Sequence, residues 1–139
     1  MACNALVHYP DKFGTAVLAV AFLNPVRMAE EPNGANQFGE MGDPRKASDF
    51  PSILAMDPYQ NIRPHAAYPA VMLNVGVNDS RVTPWESGKF AARLRTANTS
   101  GRPIWIRTDN GGHGMQQSLG AEAAEFVDIY AFLDAQLPQ

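Results

Sequence analysis

The chain contains a single cysteine, Cys3. One thiol forms no internal disulfide and supplies no sulfur set for a structural zinc, which fits a reducing compartment such as the cytoplasm. The longest apolar run, Ala16 to Leu23, falls well short of the roughly 20 residues that a membrane-spanning helix needs. The N-terminus lacks a basic stretch followed by an apolar one, so no signal peptide is expected. Basic clusters are missing as well. With 11 lysines and arginines against 14 aspartates and glutamates, a formal charge of -3, there is no electrostatic footprint for nucleic acid. Neither nucleic acid nor a membrane is an expected partner. Internal repeats, low-complexity tracts and glycine-rich phosphate loops are absent. The acids Glu30, Glu31, Glu40, Asp43 and Asp49 have no calcium-loop spacing and read as a solvated face, so no metal and no cofactor is expected.

What is present reads as one α/β domain. At 139 residues the chain can bury roughly two-thirds of its unfolded surface around a single core. Ala16 to Leu23 is apolar throughout, as is Val71 to Val77 apart from Asn74 and Gly76. Such runs suit strands covered on both faces of a parallel sheet. Pro103 to Thr108 reads as a third strand. Between the last two, Thr83-Pro84-Trp85-Glu86 offers an N-cap hydroxyl, a proline at the first helical position and a capping-box glutamate. Ser87, Phe90, Ala91 and Leu94 follow at helical spacing and should pack on the sheet. Ala2 to Tyr9 is a short helical pattern cut by Pro10, with His8 on its surface, and His65 reads as a loop residue. Ser118 to Leu137 is a helix whose stripe of Ala123, Phe126, Val127, Tyr130, Leu133 and Leu137 is expected to cover one sheet face. Asn24 to Arg63, rich in proline and glycine, is the least regular stretch.

Two polar residues stand out. Asp79 follows one strand, and His113, in Asn110-Gly111-Gly112-His113-Gly114, follows the next. Open α/β sheets put their chemistry at this edge, where strand ends and helix N-termini converge. Spacing alone leaves two readings, a loop cap with a turn histidine or an acid-base pair.

At these residues the chain resembles the prolyl oligopeptidase family of serine peptidases, whose catalytic domain is an α/β-hydrolase. Tyr68-Pro69-Ala70, Asn78-Asp79, Arg81-Val82, Pro84, Ser87, Lys89-Phe90-Ala91-Ala92 and Leu94 match the family pattern around the triad aspartate. Gly112-His113-Gly114 matches the one around the triad histidine. The resemblance implies that Asp79 orients the histidine, that His113 is the general base and that Arg81 contacts substrate. It also implies short helices over the sheet edge between Asn24 and Arg63, where Asp57-Pro58-Tyr59-Gln60-Asn61-Ile62 matches the family phrase that ends them.

The family's nucleophile lies in a Gly-x-Ser-x-Gly-Gly elbow, and Tyr9 to Val17 matches the segment that follows the elbow helix. Counted back from there, the serine falls a few residues before Met1. None of Ser48, Ser52, Ser80, Ser87, Ser100 and Ser118 has that context. The expected fold is therefore a truncated α/β-hydrolase, a three-layer sandwich with about three parallel strands. Without upstream strands the Ala16 to Leu23 edge is expected to be bare, which favours a homodimer or larger assembly. Three functional readings follow. The chain could be part of a serine peptidase completed by a separate piece, or a weak esterase in which His113 activates Cys3, Ser80, Ser118 or water. It could also be a non-catalytic domain that binds itself or a partner. Small esters are the better substrates for a partial site and peptides for a complete one.

Overall fold

The strand at the middle of a parallel sheet has no face left for water, and Ala70–Gly76 meets that condition by being buried at every position. In the computed structural model, which describes residues 2–114 and 118–137, the elements run α1 (Ala2–His8), β1 (Thr15–Ala19), α2 (Phe38–Met41), α3 (Phe50–Met56), β2 (Ala70–Gly76), α4 (Pro84–Ala97), β3 (Ile104–Asp109) and α5 (Leu119–Gln136). The strands lie in the order β1-β2-β3 and all pairs are parallel, with Thr15 opposite Ala70 and Val71 opposite Ile104. Alternate side chains of β2 serve two cores. Val71, Leu73 and Val75 join Leu6 and Val7 of α1 and Phe90, Ala91, Leu94 and Ala97 of α4. Ala70 and Met72 face Phe132 of α5, with Val17, Ile129 and Leu133 around them. The result is the expected three-layer α/β arrangement.

Short helical turns at Pro25–Glu30 and Gly34–Gln37, then α2 and α3, fill the irregular stretch. Asp57 anchors its far end by accepting the N–H groups of Val26 (2.9 Å) and Gln60 (2.8 Å). His8 and His65 are exposed.

Four local expectations are corrected by long-range contacts. The first strand stops at Ala19 instead of reaching Leu23, because Val20 takes a φ of 43°, which a β-branched residue seldom adopts. The capping box at α4 does not form. Thr83 occupies the N-cap position without a side-chain cap bond, and its hydroxyl donates to Glu31 instead. Glu86 turns inward and accepts the buried N–H groups of Leu23 and Asn24. Leaving those two donors unpaired would cost more than an open, solvated helix end. The acids of the irregular stretch are not one solvated face, since Glu31 and Asp43 are buried. Asp43 is held by the Arg45 side chain and Glu31 by Thr83. Finally, α5 turns a different face to the sheet. Phe132 is buried, while Phe126, Val127, Tyr130 and Leu137 of the expected stripe stay exposed.

Candidate active site

Asp79 lies just past the end of β2, where the chain turns sharply enough for its N–H to reach the Gly76 carbonyl at 3.1 Å. The carboxylate is nearly inaccessible, with its side chain 3% exposed. Backbone donors replace the lost water: Oδ1 accepts the N–H groups of Arg81 at 2.8 Å and Val82 at 2.9 Å. Oδ2 lies 2.8 Å from Nδ1 of His113. Burial pushes the Asp79 carboxyl up, but the two N–H groups and the imidazole more than offset it, so it lies below its ordinary value. At neutral pH it is a fixed anion. Against such an anion Nδ1 carries the proton and donates, which leaves Nε2 as the ring nitrogen able to take another.

The loop bearing His113 is fastened directly to the loop bearing Asp79. Val77 N–H donates to the Asp109 carbonyl at 2.9 Å, Asn78 N–H to the Gly111 carbonyl at 3.1 Å, and the Asn78 amide to the Asn110 carbonyl at 2.9 Å. Asp109 in turn accepts the N–H of Gly111 at 2.7 Å. Gly76 makes this fit possible. A methyl group there would sit 2.3 Å from the Gly112 oxygen and 2.6 Å from the Gly111 oxygen. Sequence reasoning treated Gly76 only as an interruption of an apolar run. The available signal was a glycine inside a fully buried strand, which often marks close backbone approach.

His113 opens onto a cavity of about 560 Å³ whose wall includes Val20, Phe22, Glu31, Arg81 and Val82. Asp79, His113 and Arg81 are thus brought to one place. The other candidates are distributed differently. Cys3 is half-buried against the α1 and α4 core, and burial pushes its thiol up, the opposite of what a thiolate nucleophile needs. Ser80 is exposed on the loop next to Asp79. Ser118 caps α5 by accepting the N–H of Ala121 at 3.3 Å. None of the three is hydrogen-bonded to His113 among the described residues. No group of three or more metal-ligating side chains converges among those residues. None of the described helices is long and apolar enough to cross a membrane.

A parallel sheet between helical layers, with an acid and a histidine joined at its C-terminal edge, defines an α/β-hydrolase. Comparison with known proteins agrees: residues 1–139 match the prolyl oligopeptidase family, and the chain belongs to it. It is 33% identical over 132 residues to dipeptidyl aminopeptidase BI of Pseudoxanthomonas mexicana, covering 92% of this chain and 18% of that protein. It is 30% identical over 132 residues to the prolyl endopeptidase of Dictyostelium discoideum, covering 92% and 17%. A solved prolyl endopeptidase superposes with a TM-score of 0.93 at 29% identity, over 97% of this chain and 20% of that one. Oligopeptidase B from Trypanosoma brucei, in a closed form with covalently bound antipain, gives 0.90 at 26%, over 97% and 19%. The chain therefore spans about a fifth of the length of these relatives.

Proposed function

We propose that this chain supplies the acid and base of a serine-hydrolase site for carboxylic esters or peptides. Asp79 orients His113 and His113 is the general base, while Arg81 holds substrate at the cavity wall. The 2.8 Å contact between Nδ1 and Oδ2 carries this reading. In the reaction Nε2 takes the proton of an attacking hydroxyl as its oxygen bonds to the carbonyl carbon. The imidazolium so formed, steadied by Asp79, then returns the proton to the leaving oxygen or nitrogen as that bond breaks. A companion segment bearing an elbow serine would complete a peptidase. Alone, the pair supports weak cleavage of reactive esters with water as the attacking group, or with Ser80 or Ser118 as a local nucleophile; the half-buried Cys3, with its raised thiol, does not fit that role.

The test is turnover of p-nitrophenyl acetate by the purified chain beside its His113→Ala variant, followed by intact mass after a fluorophosphonate. A loss of activity of about a hundredfold or more in the variant is expected for a general base. Peptide mapping of any adduct would identify the nucleophile. Equal rates for both proteins would sink the proposal.

A second reading has its own support. Among the described residues β1 pairs only with β2, and Trp105, Phe126, Val127 and Tyr130 are exposed on or near α5. Self-association through this open edge and apolar face predicts a dimer in sedimentation velocity at micromolar concentration, and a clean monomer would exclude it.

A further inference from the structure

Two residues interrupt the apolar run of β2. Gly76 is explained by the close approach of the histidine loop, and Asn74 leads to a second tie on that loop. Asn74 is buried, at 6% exposure, and both ends of its amide are engaged: Nδ2 donates to Glu125 of α5, and Oδ1 accepts from Arg107 at 3.1 Å. Arg107 stands opposite Asn74 on β3. Besides Asn74 it reaches Asp109 Oδ2 at 2.9 Å and Asp128 Oδ2 of α5 at 2.8 Å. The Arg107 side chain is 14% exposed and that of Asp109 17%, so this pair is largely withdrawn from the water that weakens surface pairs. A guanidinium suits the place because its planar fork serves several acceptors in fixed directions.

The other oxygen of Asp109, Oδ1, accepts the Gly111 N–H at 2.7 Å, a turn in which the aspartate sets the course of the chain two residues on. That course needs setting, because Asn110-Gly111-Gly112-His113-Gly114 is rich in glycine, whose backbone has the widest choice of conformations. Asn78 fixes the loop from the Asp79 side through the carbonyls of Asn110 and Gly111. Asp109 fixes it from the end of β3. Gly111 is thus held at its N–H and at its carbonyl, and His113 follows two residues later.

We propose that Arg107 is a positioning residue for His113: through Asp109 and Gly111 it sets the loop in the course that brings Nδ1 to Asp79. The proposal rests on the reading of His113 as the base. Arg107 reaches the site from the α5 face of the sheet and acts on the ring only at second hand, since its own partners are Asn74, Asp109 and Asp128.

The test reads the ring directly and needs no turnover. In protein carrying isotope-labelled histidine, couplings between the ring nitrogens and the non-exchanging ring protons tell the two neutral tautomers apart, in mildly alkaline buffer where an ordinary imidazole is neutral. The His113 signals are those that His113→Ala removes. The wild-type ring should carry its proton on Nδ1, held there by Asp79. Arg107→Met and Asp109→Ala should each let the ring swing off Asp79 and shift toward the Nε2–H form that a free imidazole prefers. Leu6→Ala, a core truncation in α1, should leave the tautomer unchanged, which separates positioning from a general loss of stability. In ester turnover both loop variants should lower kcat about tenfold or more while KM stays within about twofold, the mark of misplaced chemistry and not of lost binding. The double variant should fall within about twofold of Asp109→Ala alone, because Arg107 acts through that residue. Additive losses in the double variant, or an Nδ1–H ring preserved in either single one, would overturn the proposal. If Arg107→Met or Asp109→Ala fails to fold, Arg107→Lys or Asp109→Asn replaces it. One ammonium does not span three acceptors, and a single amide oxygen stands in for the two that serve Gly111 and Arg107 separately. A tautomer that shifts in a chain without His113-dependent turnover would refute the catalytic reading and leave the positioning role standing.

Discussion

The two faces of the sheet are built on different principles. Toward α1 and α4, β2 presents Val71, Leu73 and Val75 to a continuous apolar core that includes Phe90 and Leu94. Toward α5, Ala70 and Met72 meet mainly Phe132, and polar groups take over the rest. There Arg107 donates to Asp128 (2.8 Å), Asp109 (2.9 Å) and the Asn74 side chain (3.1 Å). The first face is held by area removed from water and the second by a few directional contacts at the rim of a small apolar patch. The first also supports the candidate site, since α4 carries Glu86 and follows directly on the Asp79 loop. Stability and chemistry are concentrated on the same side.

The largest test of this contrast is Phe90→Ala, expected to cost about 4 kcal/mol through lost burial and an unfilled cavity, and measured by urea denaturation. A cost below about 1 kcal/mol would mean that the two faces are not so different. Next comes pH. Glu86 has its folded pKa raised to about 7 from 4.5, so between these values the folded state holds more protons than the unfolded one. Stability should then fall as pH rises through this window, by up to about 3 kcal/mol from this group, and Glu86→Gln should flatten the slope. Asp57, also raised by burial, adds in the same sense. Asp79 acts oppositely: its lowered value gives stability that is lost only as the solution becomes strongly acidic. An unchanged slope in Glu86→Gln would place the proton elsewhere.

Phe132→Ala probes the α5 face at its one fully buried aromatic and should cost about 2–3 kcal/mol, less than Phe90→Ala because the patch around it is smaller. Thermal unfolding of the two variants side by side gives the ordering. Tyr130→Ser, on the exposed side of α5, should change stability by no more than about 0.5 kcal/mol in the isolated chain. A larger loss that depends on protein concentration would show that this surface is covered by a second copy.

The β2–α4 unit was legible in the sequence because each part follows a local rule: an apolar run for a buried strand, then a proline start and helical spacing. The pairing of Asp79 with His113 was less so. Spacing left it open, and the match to family residues on both loops made it specific. Glu86 was illegible. A glutamate three residues after a threonine looks the same whether it caps its own helix or reaches Leu23, 63 residues away. α5 misled for another reason, since apolar residues lie all round it and periodicity alone cannot tell which side a sheet will take. Val20 gave no signal of its own, because a β-branched residue inside an apolar run reads as extended strand and not as the left-handed backbone it adopts.

The connectivity of the sheet also sets an order of assembly. β2 and β3 bring together Asn74 and Arg107, 33 residues apart, with α4 folded in the interval. β1 joins β2 at Thr15 and Ala70, 55 residues apart, across the irregular stretch. Closing the longer, floppier interval costs more chain entropy, so β2–α4–β3 is expected to nucleate and β1 to dock afterwards. Mutational folding kinetics should then give higher φ-values at Leu94 than at Leu18, and the reverse ranking would refute this order. On this route the acid and the histidine meet in the folding nucleus, while the wall carrying Val20, Phe22 and Glu31 closes over them last.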